Sequence, residues 1–284
     1  MAVSPQNHPK ITQKAAFVTQ PQASVLALAS LSHPGPAMRW RNEAMRSHAT
    51  GRLIQITKGQ GRVTVAGLTS GYGPNNLIYL PPQTMYGIEI GPSVFGHILT
   101  LPDTKGWPDA PVHLRLTDVW LQKEATHFLD QIEKELLPAG DPAAAHLWLG
   151  LLAIFIARQD RAQAVTPNDS RRDSAAAKLV ARYTQLIARN FAQDRSVADF
   201  AADLGVTPTH LARCCRQITG RSALALLQDR IHFEACTLLR DTKAPIRQIA
   251  DQLGFRSAGY FTRSFQEKAG QTPSDFRRAS PQAK

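Results

Sequence analysis

The sequence predicts an α+β chain in which a strand-rich N-terminal part precedes an all-α C-terminal part. Three observations carry that expectation. Short β-rich runs separated by turn residues fill 46–101, helical periodicity takes over from 113 onward, and one pattern occurs twice between 196 and 270.

Composition sets the frame for these elements. The 284 residues, 43% hydrophobic and 19% charged, suffice for two cores and exclude a disordered chain. The formal charge of +11 is unevenly placed: residues 1–170 carry 14 Lys and Arg against 12 Asp and Glu, whereas residues 171–284 carry 19 against 10. A basic C-terminal part is the footprint of a nucleic-acid-binding domain, with a merely soluble basic surface as the alternative reading. Three Cys, two of them adjacent, make neither a disulfide framework nor a spaced metal-ligand pair and fit a reducing compartment. No leader-like apolar segment with a cleavage site opens the chain, so the cytoplasm is the expected location. The most apolar run, 143–157, is shorter than the roughly 18 residues of a membrane span and reads as a buried helix.

In chain order, residues 1–37 have Pro at 5, 9, 21, 34 and 36 and no sustained period, and read as a loose tail. LIQIT, RVTVAG, NLIYL, YGIEI and FGHILTL follow, punctuated by GQG, SGYGPNN, PPQT and GPS, as in a sandwich or small barrel. Within 113–137, Leu121, Ala125, Phe128, Ile132 and Leu136 recur at spacings of three and four, one face of an amphipathic helix fit for a core or a partner subunit. A second helix covers about 142–159, which places one domain at 38–160. The polar stretch 161–174, with Pro167 and Asn168, is the linker to a second domain at 175–284.

That second domain contains the repeat. SVADFAADLGVTPTHLARCCRQITG at 196–220 and PIRQIADQLGFRSAGYFTRSFQEKAG at 245–270 share a skeleton. Ala201, Leu204 and Gly205 correspond to Ala250, Leu253 and Gly254; after one extra residue, Arg256, Thr207, Leu211, Arg213 and Gly220 correspond to Ser257, Phe261, Arg263 and Gly270. Each copy predicts a short helix, a Gly turn, a capping hydroxyl and a second helix, with Pro208 just inside the cap. This is a helix-turn-helix pattern, and two copies on the basic part of the chain make it a strong one.

IADQLGFRSAGYFTRSF, AGQTPSDFRR, the upstream copy and the intervening DRIHFEACTLLRDT resemble the DNA-binding domain of AraC/XylS-type transcriptional regulators over about 175–279. The resemblance implies two helix-turn-helix units joined by a long helix at about 222–241, with recognition helices that enter successive major grooves. RSHATGRLIQITKGQGRVTVAGLTSGYGPNNLIYLPPQTMYGIEIG at 46–91 is similar to the cupin-like sensory barrel of the AraC-type regulators that respond to aromatic acids. The helices after it resemble that subgroup's dimerisation segment.

Helical geometry sorts the repeat's side chains. Phe261, Phe265, Tyr260 and Ser264 are expected inward, as are Leu211 and Cys215, which makes the adjacent Cys214–Cys215 pair read as buried thiols rather than a redox sensor. Thr209, Ala212 and Arg213 on one helix and Ala258, Gly259, Thr262 and Arg263 on the other are the base-contact candidates. Each Arg can pair bidentately with guanine, while Ala258 and Gly259 offer unusually little side chain. Arg216, Arg221, Arg256, Lys268, Arg277 and Arg278 are candidates for phosphate contacts. His210 receives no site role, and His232 reads as a surface residue of the joining helix.

A cupin-like fold raises the question of a metal. His48 is present without an HxH pair, Tyr86 stands where a ligand His is expected, and His97 and Glu89 form no recognisable set, so no metal, cofactor or catalytic residue is assigned. A small organic effector, an aromatic carboxylate by the resemblance, has His48, Arg52, Tyr79 and Tyr86 as candidate contacts. The expected whole is a cytoplasmic homodimeric transcription factor, an effector-responsive activator that binds promoter DNA and engages RNA polymerase, with no membrane partner. A regulator without effector is the alternative, and a metal enzyme fused to a DNA-binding module a distant third.

Overall fold

The computed structural model describes residues 25–31, 33, 40, 44–164 and 174–279. Among the described residues eight strands precede the main helices: β1 (Ala27–Leu31), β2 (Gly51–Lys58), β3 (Gly61–Val65), β4 (Leu68–Tyr72), β5 (Asn76–Leu80), β6 (Tyr86–Ile88), β7 (Phe95–Leu101) and β8 (Val112–Arg115). All pairings are antiparallel, in one sheet of order β1-β7-β2-β5-β8 and a second of order β4-β3-β6.

Side-chain alternation makes the larger sheet a partition. Leu53, Leu77, Tyr79, Leu99 and Leu114 point to one face and Ile54, Ile56, Ile78 and Leu80 to the other, where they meet Val63, Tyr86 and Ile88 of the small sheet. The two sheets face each other as open layers, and among the described residues no ladder closes them into the barrel that the strand content suggested. The β3–β4 hairpin turns on Ala66 and Gly67, both at positive φ (50° and 87°), the handedness a two-residue hairpin requires. Of the expected tail 1–37, residues 1–24 lie outside the described residues, but Ala27–Leu31 are no tail: they form the edge strand beside β7.

Two helices cover the outer face of the large sheet: α1 (Val119–Glu135) and α2 (Pro142–Ala164). The helical period seen from 113 is interrupted at its start, because 112–115 pair with β5 and the helix begins at the cap Asp118, whose Oδ1 accepts from the Trp120 N–H at 2.7 Å. Downstream the expected face holds: Ala125 and Ile132 are buried, with Leu121, Phe128 and Leu136 packed beside them. By length and composition α2 is apolar enough to cross a membrane, longer than the run 143–157 indicated. One side of it, including Leu152, Phe155 and Ile156, is nevertheless buried on α1 and the sheet. It extends into the first residues of the expected linker, and 165–173 lie outside the described residues.

Seven further helices make the C-terminal domain: α3 (Ala175–Asn190), α4 (Val197–Asp203), α5 (Pro208–Thr219), α6 (Ala223–Asp241), α7 (Ile246–Gln252), α8 (Ala258–Ala269) and α9 (Pro273–Ala279). Its two cores lie on either side of α6. One joins α3, α4 and α5 through Tyr183, Phe200, Leu211 and Cys215, and the other joins α7, α8 and α9 through Ile249, Phe261, Phe265 and Phe276. The β layer sits directly on this domain. Met45 and Met85 enter the first core, Trp40 packs on Phe233 and Phe276, and a Cβ on Gly67 would stand 2.6 Å from Val180.

Candidate nucleic-acid interface

The two copies repeat each other at the level of hydrogen bonds. In the first turn Gly205 has φ 69°, and the Val206 N–H donates to Ala201 O at 3.0 Å; in the second Gly254 has φ 79°, and the Phe255 N–H donates to Ala250 O at 2.9 Å. A left-handed Gly at this place lets the chain reverse after one short helix without a Cβ clash. The capping hydroxyls behave alike: Thr207 Oγ1 accepts from the His210 N–H and Ser257 Oγ from the Tyr260 N–H, each at 3.2 Å. Both second helices end on a left-handed glycine, Gly220 (φ 70°) and Gly270 (φ 72°). Arg256, the extra residue, is accommodated in the turn and paired with Asp194 at 3.0 Å.

Leu211 and Phe261, and Cys215 and Phe265, are buried at equivalent places, and Arg213 and Arg263 are exposed at equivalent places. Thr209 and Gly259 are exposed, and Ala212, Ala258 and Thr262 partly so. The Thr262 hydroxyl donates to Ala258 O at 2.9 Å, which leaves its methyl and lone pairs to face outward. Arg213 Nη2 donates to His210 Nδ1 at 3.2 Å, so His210, given no role from sequence, touches the exposed arginine. Arg263 has no hydrogen bond or ion pair among the described residues.

The phosphate candidates divide by what already holds them. Arg216 is exposed and unpaired among the described residues. Arg256 and Arg278 are 86% and 79% exposed with carboxylate neighbours, Asp194 and Asp275. Arg277 instead donates to Leu239 O at 3.1 Å and Ala244 O at 2.6 Å, closing the end of α6. Arg221, just past α5, and Lys268, on α8, both pair with Asp229 of α6, one on each carboxylate oxygen. Asp229 is 4% exposed, so one buried carboxylate ties the ends of both recognition helices to the joining helix. No sequence signal singled it out beyond an Asp-Arg pair among the apolar residues of that helix.

Two orientations differ from expectation. Tyr260 is 56% exposed rather than in the core, because the apolar face of α8 is narrow and centred on Phe261 and Phe265. Ser264 is half-buried and, with Tyr260, lines a cleft of about 720 Å3 between α8 and α6. His232 is partly buried rather than fully on the surface: it lines the same cleft and packs at 5.1 Å on the Phe265 ring beside Cys236. Burial, and then the Lys268 charge, lower its pKa to about 4. The three Cys are all buried, and burial pushes Cys215 and Cys236 up to about 12.

The large sheet separates the four effector candidates. Tyr79 lies on its helix side against Trp107, at 4.9 Å between rings. His48, Arg52 and Tyr86 lie on the other side, with His48 Nε2 3.1 Å from the Tyr86 hydroxyl. Alternation along β5 and β6 decides this, and the space between the sheets is filled by Ile54, Ile56, Val63, Tyr72 and Ile88. His97 bonds Gln55 and Glu89 pairs with Arg62, and among the described residues no group of three or more His, Cys, Asp and Glu is placed to hold a metal ion.

Comparison with known proteins bears on this geometry. Residues 200–279 match the family described as "Helix-turn-helix domain". The chain is 36% identical over 88 residues to the transcriptional regulator Rob of Salmonella typhimurium, covering 31% of this chain and 30% of that protein. It is 33% identical over 81 residues to the arabinose operon regulatory protein of the same organism, covering 28% of this chain and 29% of that protein. The chain thus spans less than a third of the length of these two curated relatives. In three dimensions it is similar to unsaturated fatty acid-bound wild-type ToxT of Vibrio cholerae, 13% identical, with a TM-score of 0.46 over 93% of this chain and 98% of that one. Residues 200–279 are thus a helix-turn-helix domain, similar in sequence to parts of these two regulators.

Proposed function

We propose that the whole chain is a transcription regulator that places its two recognition helices, α5 and α8, in successive major grooves of promoter DNA. One observation carries this reading: the second copy reproduces the turn, the cap and the exposed arginine of the first, on one joining helix. Arg213, in contact with His210, reads a base, and Thr209, Ala212, Thr262 and Arg263 supply the neighbouring contacts. Ala258 and Gly259 add close approach rather than hydrogen bonds, so the first unit provides most of the discrimination. Arg216, Arg256 and Arg278 position the protein on phosphates.

The protein acts as a cytoplasmic homodimer that activates a catabolic operon with RNA polymerase. The support for pairing is α2, where Leu147 (74% exposed), Leu151 (46%) and Ile154 (56%) form an outward apolar stripe beside Gly150. Effector binding shifts the population of the DNA-competent arrangement through differential affinity for the two states.

Arg213→Ala tests the base-reading role. Competition against DNA variants should show preference relaxed at one position, by about 1–3 kcal/mol. A uniform loss across all sequences would assign Arg213 to the phosphate backbone instead.

A further inference from the structure

We propose that Tyr260 is a DNA contact of the second unit, and that its phenol hydroxyl donates to a phosphate of the backbone that separates the two major grooves. The proposal rests on the reading of α5 and α8 as recognition helices, and it gives a role to a residue that the sequence pattern places in the core.

Helical geometry fixes the direction of the side chain. Phe261 and Phe265 are buried and define the inward side of α8, and Arg263 is exposed on the opposite side. At about 100° per residue Tyr260 lies about 60° from Arg263, whereas Thr262 lies about 100° from it. Tyr260 is thus nearer the centre of the outward face than Thr262, and its 56% exposure agrees. It also belongs to the first turn, the part of a recognition helix that meets the DNA. Ala258 and Gly259, the two residues before it, have no side chain long enough to screen the ring.

Nothing within the chain uses the hydroxyl. It has no hydrogen bond among the described residues, although Phe255 steadies the ring at 5.8 Å between centroids. The first unit provides the contrast. His210 is exposed at the equivalent place, three residues before its arginine, but its Nδ1 accepts from Arg213. Arg263 receives no such contact from Tyr260. The same position therefore engages the arginine in one unit and is left for an outside partner in the other.

The surroundings of the ring identify that partner. Tyr260 stands at the lip of the cleft between α8 and α6, whose lining includes Leu224 and residues 193–195, just before α4 of the first unit. It therefore flanks α8 on the side of the first unit. Two helices in successive major grooves have the sugar–phosphate backbone between them, and a side chain on this inner flank meets the backbone before it meets a base edge. A phenol donates to a phosphate oxygen as a neutral group. It adds affinity without the counterion release that an Arg or Lys contact brings.

The test compares the full wild-type chain with Tyr260→Phe on two duplexes, one carrying a site that the wild type selects from random sequence and one with that sequence scrambled. Tyr260→Phe should bind both about tenfold more weakly. The preferred sequence and the slope of log K against log salt should not change. The variant keeps the ring that packs on Phe255, so its urea midpoint should equal that of the wild type. A neutral methylphosphonate moved along the selected backbone should cost the wild type about tenfold more than Tyr260→Phe at one linkage, and the same elsewhere. Equal affinity of variant and wild type, a changed base preference, a smaller salt slope, or a scan in which no linkage separates the two proteins would each overturn the contact. A wild type that binds neither duplex would instead sink the regulator reading.

Discussion

Asp229→Asn removes one charge and almost no volume, and it tests whether a single buried carboxylate sets the relation between the two DNA-reading units. Asp229 lies on α6 with Arg221 on one oxygen and Lys268 on the other. Breaking a fully buried ion pair costs about 3–5 kcal/mol, because the remaining charge is stranded. Here the carboxylate side chain is 6% exposed, but Arg221 and Lys268 are 42% and 32% exposed and can turn back to water. Exposed pairs contribute about 0–1 kcal/mol each. The two bonds together therefore contribute about 2 kcal/mol, between these limits. Far-UV circular dichroism during urea unfolding reads the loss of helix, and fluorescence of Trp40, which packs on Phe233 and Phe276, reports on the same domain. The midpoint should fall at unchanged slope. Adding Lys268→Met to Asp229→Asn should cost little more, because the lysine acts through the missing carboxylate. Fully additive losses would refute the shared-anchor argument.

Two further outcomes follow from the same geometry. The folded-state pKa of His232, about 4, lies below the unfolded value of about 6.5, so its contribution to stability is complete above pH 6.5 and is lost as pH falls towards 4. At pH 5 the loss from this group is about 2 kcal/mol, and the pH 7 to pH 5 decrease in urea stability should be smaller by that amount in His232→Gln; an equal decrease would place the proton elsewhere. For DNA binding, Arg216→Ala should lower the slope of log K against log salt by about 0.9 with sequence preference unchanged. Arg221→Ala, whose charge is held by Asp229, should change the slope much less, and equal changes would show that Arg221 leaves Asp229 for the phosphate.

The repeat was legible because its determinants are local. A left-handed Gly, a hydroxyl three residues before the N–H it caps, and a buried residue every fourth position are all read along a few residues, twice over. Orientations that depend on two or more packed elements were not. His232 sits on a helix buried on several sides, with Leu226, Asp229, Arg230, Phe233, Ala235 and Leu239 all inaccessible, so a single apolar face does not predict exposure. Tyr260 faces a cleft whose other wall is α6, a separate helix not adjacent to α8 in sequence. Strand content foretold the β layer, but whether sheets close depends on edge pairing, and the separation of Tyr79 from Tyr86 depends on strand phase. Ala27–Leu31 lacked the β-branched residues that mark a strand and is one because β7 offers it an edge. Residues 112–115 fit a helical period as well as a strand, and only pairing with β5 decides between them.

Selection of DNA from a random library by the full chain tests the central claim most directly. Two units on one joining helix should enrich sites with two blocks of preference separated by about one helical turn, 10–10.5 base pairs. The block read by α5 should be the stronger, and it should lose its preferred position in Arg213→Ala. Recovery of a single block, or of two blocks at no fixed spacing, would contradict the account.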